Sequence, residues 1–157
     1  MKWKKGVKYQ KLDDIHDLAG IRIIFYLESD KKRFVADLYE ELTPQNLKLK
    51  ERHKEKGYRA THVIASLGKK RLILGEYKKF KGLKCEIQLT SALYHAWSEI
   101  EHDIFYKNNV RSLTTEKEMN RLKRDLENTM TEYIEKASSS FEEVSERVRN
   151  LSKRKDY

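Results

Sequence analysis

The sequence predicts an α+β fold, in which a mixed β-sheet of about five strands is flanked by helices and followed by a long C-terminal helix. Three observations lead to this prediction. A β-branched and aromatic run, GIRIIFYL, occupies residues 20–27. Residues 84–107 change from an alternating to a helical pattern. Residues 114–152 contain neither glycine nor proline and repeat apolar side chains at helical spacing.

The stretch KCEIQLTSALYHAWSEIEHDIFYK, at 84–107, begins as a strand. Its apolar residues Cys85, Ile87 and Leu89 alternate with the polar residues Glu86 and Gln88, which is the period of a half-buried strand. A strand of this kind presents a carboxylate and an amide together on its polar side. This side is the first candidate for a functional site.

A helix follows, and Ser91 is its predicted N-cap. Leu93, Trp97, Ile100 and Ile104 recur every three to four residues and form its apolar face. Three polar side chains lie on the same helix: His95, Glu99 and His102. Their spacing, HxxxExxH, differs from the HExxH pattern of zinc peptidases, and the basic surroundings disfavour a zinc site.

The remaining elements follow from apolar patterns and turn residues. Residues 20–27 are predicted to form a central strand because they are apolar on both faces. Residues 30–43 form an amphipathic helix with a stripe of five side chains, Phe34, Val35, Leu38, Tyr39 and Leu42. Further strands are predicted at 47–53 (an edge strand), 59–67 and 71–77, with turns at 54–58 and 79–82.

The C-terminal region 114–152 is predicted to be one long amphipathic helix, or two helices broken near Ser138–Ser140. An unbroken helix of this length would reach about 58 Å at ~1.5 Å per residue, which exceeds the width of a small domain. Three ways of covering its apolar stripe remain open. The helix packs onto its own sheet, part of it packs on a second copy of the chain as a homo-oligomer, or part of it packs on a segment missing from this sequence.

The charge of the chain is concentrated in its first half. Residues 1–85 hold 22 Lys/Arg against 11 Asp/Glu, whereas residues 86–157 hold 12 against 14. Such a basic field attracts phosphates, as in nucleotides or nucleic acid. No apolar run approaches a membrane span, which predicts a protein that does not enter the membrane. The single cysteine, Cys85, favours a reducing compartment such as the cytoplasm and is expected to be a core residue.

Three polar clusters lie at or beside predicted strands. They are Asp17 with Arg22; Lys54, Lys56, Tyr58 and His62 around Gly57; and Glu86 with Gln88. Carboxylates from two different strands can share a Mg²⁺ ion, while lysine and arginine hold phosphate oxygens. This combination suggests phosphoryl or pyrophosphoryl transfer to a nucleotide hydroxyl. A solvated strand glutamate and a structural histidine remain the alternative interpretations of Glu86 and His62.

The motifs DLAGIRIIF (17–25), GYRATH (57–62) and EIQLTSALYHAWSEIEHDIFYK (86–107) occur in this order. Together they resemble the RelA/SpoT-type (p)ppGpp synthetase domain. The sequences of these motifs are more similar to those of small alarmone synthetases and their toxin relatives. The resemblance implies a nucleotidyltransferase-like fold over residues 1–112, with 113–157 as a helical extension. It also implies transfer of pyrophosphate from ATP to the 3′-hydroxyl of GDP or GTP, with Mg²⁺ as cofactor.

The same resemblance implies roles for individual residues. Asp17 and Glu86 would be the catalytic residues and the Mg²⁺ ligands. The acceptor nucleotide would be bound by Lys54, Lys56, Tyr58, His62 and Gln88, with Tyr58 stacked on the guanine. Arg22 and Arg59 would contact phosphates, and Glu99 and His102 would support the site.

Departures from the family pattern leave three hypotheses for the function. Lys56 replaces the usual asparagine, Thr90 replaces an arginine, and the basic donor-binding segment expected before Asp17 has no match in MKWKKGVK. We therefore expect either a pyrophosphokinase acting on a guanine nucleotide, a toxin-like relative that modifies the tRNA 3′ end, or a catalytically incomplete module that binds nucleotide or RNA.

Overall fold

The computed structural model describes residues 19–42, 44–53, 59–107 and 114–153. In chain order its strands and α-helices are β1 (Ala19–Phe25), α1 (Glu28–Glu41), β2 (Leu47–His53), β3 (Arg59–Ser66), α2 (Lys69–Leu72), β4 (Lys84–Ser91), α3 (Ala92–His102), α4 (Glu116–Thr129) and α5 (Glu135–Lys153). Short 3₁₀ turns lie at Pro44–Asn46 and Gly75–Phe80, and π-helical turns lie at Asp103–Lys107 and Met130–Ile134. The α+β prediction is confirmed.

The four strands of the described region form one mixed sheet in the order β1-β4-β3-β2. Strand β1 runs parallel to β4, whereas β3 runs antiparallel to both β4 and β2. Strand β4 therefore has a hydrogen-bonded neighbour on each side. Its alternating sequence pattern has a separate cause: one face of β4, with Ile87 and Leu89, packs in the hydrophobic core, and its other face does not.

The predicted strand at 71–77 is wrong. This segment instead contains the end of α2 and the start of the 3₁₀ turn Gly75–Phe80. Strand β3 already pairs with β2 and β4, so the chain between β3 and β4 has no vacant position beside β3. The predicted turn at 79–82 is confirmed: Gly82 adopts a φ of 83°, a left-handed conformation that glycine adopts without steric cost.

The position predicted for the run at 20–27 also differs from the structure. Within the described residues, β1 lies at the edge of the sheet and pairs with β4 alone. Ile21 and Ile24 are about half exposed there. The apolar character of this run matches its strand conformation, because β-branched residues favour extended backbone, but it did not specify a central position.

Helix α1 covers one face of the sheet and closes the hydrophobic core. The core consists of Leu47, Val63, Ala65, Ile87 and Leu89, and the α1 residues Phe34, Val35 and Leu38 pack against it with Leu42 beyond the helix end. The rings of Phe25 and Phe34 lie 5.4 Å apart between centroids. Tyr39, predicted in the same stripe, is 44% exposed and is not among the residues packed against this core.

The predicted change from strand to helix occurs at Ser91, the N-cap position of α3. The position is confirmed, but the expected capping bond is not formed. Ser91 is buried, and its hydroxyl has no hydrogen-bond partner among the described residues. Helix α3 is instead held by Trp97, a buried side chain whose Nε1–H donates to the carbonyl of Leu126 on α4 at 3.0 Å.

The C-terminal region is one continuous helical run from Glu116 to Lys153. It starts with a capping box formed by Thr115 and Glu118. The π turn lies at Met130–Ile134, not at the predicted break near Ser138–Ser140. Because this turn winds more widely than an α-helix, it changes which side chains of α5 face the rest of the molecule.

The first part of the C-terminal apolar stripe is covered within the chain, whereas the second part is not. Met119 and Met130, in the first part of the run, are buried. The α5 stripe, defined as Phe141, Val144, Val148 and Leu151, stays more than half exposed. No helix within the described residues is both long enough and apolar enough to cross a membrane.

Polar contacts hold α5 beside α1. The backbone N–H of Ser29 donates to Glu142 Oε1 at 2.8 Å, and Arg149 Nη2 donates to Asp30 Oδ1 at 3.3 Å. These contacts join the first turn of α1 to two successive parts of α5. They keep the α5 stripe directed away from the core, because a helix held by its polar side exposes the other side.

We expect Leu89→Ala to lower the free energy of unfolding by about 2–5 kcal/mol, because Leu89 is 0% exposed at the centre of the core. Urea denaturation followed by circular dichroism measures this loss. Ile73→Ala is the matched control, since Ile73 is 74% exposed and its truncation should cost about 0.5 kcal/mol or less. Equal losses for the two variants would contradict the described core.

Candidate active site

The face of the sheet opposite the core carries a line of polar side chains. Cross-strand pairing places Arg22 of β1 beside Gln88 of β4, and Gln88 beside His62 of β3. Glu86 lies two residues before Gln88 and therefore on the same face. The sheet thus brings together four side chains that the sequence predicted for the site, although they come from three different strands.

Hydrogen bonds join these side chains into a continuous chain. His62 Nδ1 lies 2.9 Å from Glu86 Oε1, and Gln88 Nε2 donates to Glu86 Oε2 at 3.1 Å. Arg22 Nε donates to Gln88 Oε1 at 3.3 Å, and Arg22 Nη1 donates to Glu99 Oε1 at 2.7 Å. We call His62, Glu86, Gln88, Arg22 and Glu99 the polar row. It connects three strands to helix α3.

Burial decreases along the polar row from one end to the other. The side chains of His62 and Glu86 are 5% and 15% exposed, whereas those of Arg22 and Glu99 are 45% and 55% exposed. Electrostatic interactions are stronger where water is excluded. The contacts of Glu86 are therefore more strongly coupled than the ion pair between Arg22 and Glu99, which water screens.

Each carboxylate oxygen of Glu86 has a hydrogen-bonding partner. When Glu86 is ionised it only accepts hydrogen bonds, and His62 then donates the proton on its Nδ1. Gln88 supplies a second N–H to the other carboxylate oxygen. Both bonds favour the ionised form of Glu86, which is the form that accepts a proton from a hydroxyl or binds a cation.

At the exposed end, the hydrogen bond from Arg22 lowers the pKa of the Glu99 carboxyl below its ordinary value. The positive charge of Arg22 and those of His95 and His102 act in the same direction. A lowered pKa in the folded state stabilises the fold above the ordinary carboxyl range, and this contribution disappears as the pH falls through the lowered value. The pair is therefore formed at neutral pH.

His95 was not predicted to take part in a nucleotide site, yet it contacts the polar row. Its Nδ1 lies 3.8 Å from Glu99 Oε1, one helical turn away. A small crevice opens beside Arg22 and Gln88 and is also lined by His95 and Ser98. The four-residue spacing of His95 and Glu99 was the available signal in the sequence, because residues at this spacing lie on one helix face.

The structure does not bring Arg59 to the polar row. Arg59 and His62 are three residues apart on β3, so their side chains point to opposite faces. Arg59 Nη2 donates to Glu135 Oε1 of α5 at 2.6 Å, and its Nε donates to the same oxygen at 3.1 Å. The predicted contact of Arg59 with phosphate therefore finds no support in the geometry of the described residues.

Of the other predicted site residues, one lies within the described part of the chain and four lie outside it. His102 lies in the last turn of α3, three residues beyond Glu99, and acts on Glu99 through its charge. Asp17, Lys54, Lys56 and Tyr58 lie outside the described residues. Within the part of the chain that is described, no group of three or more His, Cys, Asp or Glu side chains is arranged to hold a metal ion.

Comparison with known proteins identifies relatives of the chain. Residues 1–111 match the sequence model of a family described as the region found in RelA/SpoT proteins. The GTP pyrophosphokinase YwaC of Bacillus subtilis (strain 168) is 26% identical over 147 residues, which cover 92% of this chain and 61% of that protein. The chain thus spans about three-fifths of the length of this curated relative.

Solved structures share the fold. The small alarmone synthetase 1 from Bacillus subtilis superposes with a TM-score of 0.67 at 22% identity, over 93% of this chain and 71% of that one. The same enzyme bound to its product pppGpp gives a TM-score of 0.62 at 23% identity, over 92% and 70%. At this level of identity the similarity establishes the architecture.

We expect the Cys85 thiol to react slowly with iodoacetamide, because partial burial raises its pKa and the charge of neighbouring Glu86 raises it further. Since folding raises this pKa, the stability linked to the protonated thiol is fully present below the ordinary thiol pKa and is lost as the pH rises through the raised pKa. Alkylation rates measured against pH give the thiol pKa directly.

Two controls accompany the alkylation experiment. The protein unfolded in urea should react faster at the same pH, and Glu86→Gln should lower the Cys85 pKa without exposing the thiol. A native reaction rate equal to the unfolded rate would show that Cys85 is not shielded.

Proposed function

Because the chain belongs to the RelA/SpoT family, we propose that it is a pyrophosphokinase that transfers the pyrophosphoryl group of ATP to the 3′-hydroxyl of GDP or GTP. The product is the alarmone (p)ppGpp. Family membership follows from the match over residues 1–111. The polar row supports this particular chemistry, since transfer to a hydroxyl requires a carboxylate to accept its proton and positive charge to hold phosphates.

The observation that carries the proposal is the setting of Glu86. This carboxylate is 15% exposed and bonded by His62 at 2.9 Å and by Gln88 at 3.1 Å. A glutamate on a solvent-exposed strand face would be hydrogen-bonded by water and would not require two hydrogen-bonding partners from the protein. We propose Glu86 as the group that activates the acceptor hydroxyl, with His62 and Gln88 holding it and contacting the acceptor nucleotide.

A Mg²⁺ ion fits this setting. Mg²⁺ is commonly held by one or two carboxylates together with substrate phosphates, so it does not need a complete cage of protein ligands. Glu86 supplies oxygen donors of the required kind on the polar face. We propose Asp17 as the second carboxylate. When bound, the ion would neutralise negative charge on the phosphates of the nucleotides.

The different positions of Arg22 and Arg59 support different roles for the two residues. Arg22, at the exposed end of the polar row, is our proposed phosphate contact, because its guanidinium lies on the same face as Glu86. For Arg59, the bond to Glu135 supports a role in joining β3 to α5. We retain Lys54, Lys56 and Tyr58 as proposed acceptor-binding residues on the strength of the GYRATH resemblance, and His102 as a supporting residue.

The name of the curated relative favours a guanine nucleotide as acceptor. No contact among the described residues favours the tRNA 3′ end or a non-catalytic module. We further propose that residues 1–112 form the synthetase domain and that 113–157 form a helical extension. The cytoplasm is the proposed compartment, because the proposed substrates are ATP and guanine nucleotides.

We also propose that the chain forms a homo-oligomer through the α5 stripe. Phe141, Val144, Val148 and Leu151 recur on one side of the helix and remain more than half exposed. Apolar side chains that recur in this way on an exposed helix are typical of helix–helix interfaces. A second copy of α5 presents the same stripe and is therefore a self-complementary partner.

We expect Glu86→Gln to lower kcat at least about 100-fold, because glutamine keeps the shape of the side chain but cannot accept the proton of the hydroxyl. Purified protein is incubated with Mg²⁺, labelled ATP and either GDP or GTP, and the products are separated by anion exchange. The matched control is the same change at Glu101 of helix α3. Glu101 lies on the opposite side of this helix from Glu99 of the polar row, so Glu101→Gln should retain full activity.

The same assay includes an arm with tRNA in place of the guanine nucleotide. Label in tRNA and none in GDP or GTP would replace the proposed acceptor. Absence of product with every acceptor, for wild type and Glu86→Gln alike, would overturn the proposed activity.

We expect Val148→Asp to shift the chain from oligomer to monomer, because it places a charge in the centre of the α5 stripe. Sedimentation velocity over a range of concentrations measures the change. Ser139→Asp is the control, since it adds the same charge to an exposed position outside the stripe. A wild-type chain that sediments as a monomer at all concentrations would contradict the proposed interface.

A further inference from the structure

We propose that Glu99 is a positioning residue that sets the orientation of the Glu86 carboxylate through Arg22 and Gln88. The inference rests on the proposed function, because it assigns a role within the same site. It goes further in one respect. Glu99 is half exposed and contacts no reacting group, yet we assign it a role in the geometry of the Glu86 carboxylate.

The first step concerns the side-chain amide of Gln88. A guanidinium group only donates hydrogen bonds, so Arg22 requires an acceptor. The amide of Gln88 must therefore turn its carbonyl oxygen towards Arg22 Nε, which lies 3.3 Å away. Its NH₂ group then necessarily points in the other direction, towards Glu86 Oε2 at 3.1 Å.

Reversing this amide would have two consequences. The carbonyl oxygen of Gln88 would face the carboxylate of Glu86, and the NH₂ group would face the donors of Arg22. Both contacts are repulsive. Arg22 therefore selects one of the two amide orientations, and that orientation supplies the bond from Gln88 to Glu86, which stands beside the contact with His62.

The second step concerns Arg22 itself. Arg22 lies on the edge strand β1 and its side chain is 45% exposed, so β1 alone leaves its long side chain free to turn. Glu99 accepts from Nη1 at 2.7 Å while Gln88 accepts from Nε. Because these two acceptors come from α3 and β4, they fix the plane of the guanidinium from two directions.

This arrangement is compatible with the proposed phosphate contact of Arg22. A guanidinium carries five N–H donors, and within the described residues the bonds to Gln88 and Glu99 use two of them. A phosphate oxygen can therefore bind Arg22 without displacing Glu99. The alternative is a latch, in which Glu99 blocks Arg22 and must leave before phosphate binds. The two arrangements predict opposite effects when Glu99 is removed.

The test compares Glu99→Gln, Glu99→Ala and Arg22→Lys with the control Glu101→Gln. Positioning of this kind typically contributes about 10- to 100-fold to activity. We expect kcat to fall by about that factor for the first three variants. KM for both nucleotides should change much less in the two Glu99 variants, because they retain Arg22, the proposed phosphate contact. Arg22→Lys should lose activity although it keeps the charge, because an ammonium group cannot reproduce the planar fork of guanidinium.

A second readout does not depend on turnover. The side-chain NH₂ resonances of Gln88, assigned by ¹⁵N NMR with Gln88→Leu, should shift in Glu99→Gln and stay unchanged in Glu101→Gln. Circular dichroism and thermal unfolding show whether each variant is folded. In a Gln88→Leu background, Glu99→Gln should cause no further loss of kcat, since the path to Glu86 is already broken.

The outcomes separate the inference from the proposed function. Higher activity in Glu99→Gln would identify a latch and overturn the proposal, as would a rise in KM alone or unchanged kcat and NMR spectra in an active enzyme. If wild type makes no product, the proposed function fails, and the Gln88 resonances still decide whether Glu99 orients the amide.

Discussion

The alternation of side chains along β4 is the constraint on which both the fold and the candidate site depend. Ile87 and Leu89 enter the core beneath α1, while Glu86 and Gln88 point to the opposite face. A shift of one residue would exchange these two sets, burying two polar groups in the core and exposing two core residues. Because β4 is bonded to β1 on one side and β3 on the other, such a shift would break both ladders.

The polar row also shows how a charge is kept on a face that is partly closed to water. Burying an ionised carboxylate is unfavourable unless fixed donors replace its hydration. Glu86 has such partners in His62 on β3 and Gln88 on its own strand, and the side chains farther along the row, Arg22 and Glu99, are more exposed. The network therefore has a shielded end at His62 and Glu86 and a hydrated end at Arg22 and Glu99.

Local patterns in the sequence predicted much of this arrangement. The two-residue period of β4 and its change at Ser91 were evident because neighbouring residues determine them. The pairing of Arg22 with Gln88 was not, since it joins residues 66 positions apart. The strand predicted at 71–77 is wrong because the apolar residues of this segment have a strand-like pattern, while the position beside β3 that such a strand would need is already occupied. Because Arg59 and His62 are an odd number of residues apart on β3, the sequence alone places their side chains on opposite faces. The pairing of Arg59 with Glu135 is evident only in the structure.

The parallel pairing of β1 with β4 has a consequence for the order of folding. Strands β2, β3 and β4 follow one another in the chain and are neighbours in the sheet in the same order, so fewer residues separate these partners than separate β1 from β4. Strand β1 leaves the ribosome first, yet its only described neighbour is β4, which is made last of the four. The nascent chain therefore carries an apolar strand whose described partner is absent until residues 84–91 have been made, and such a strand is open to non-native pairing in the meantime.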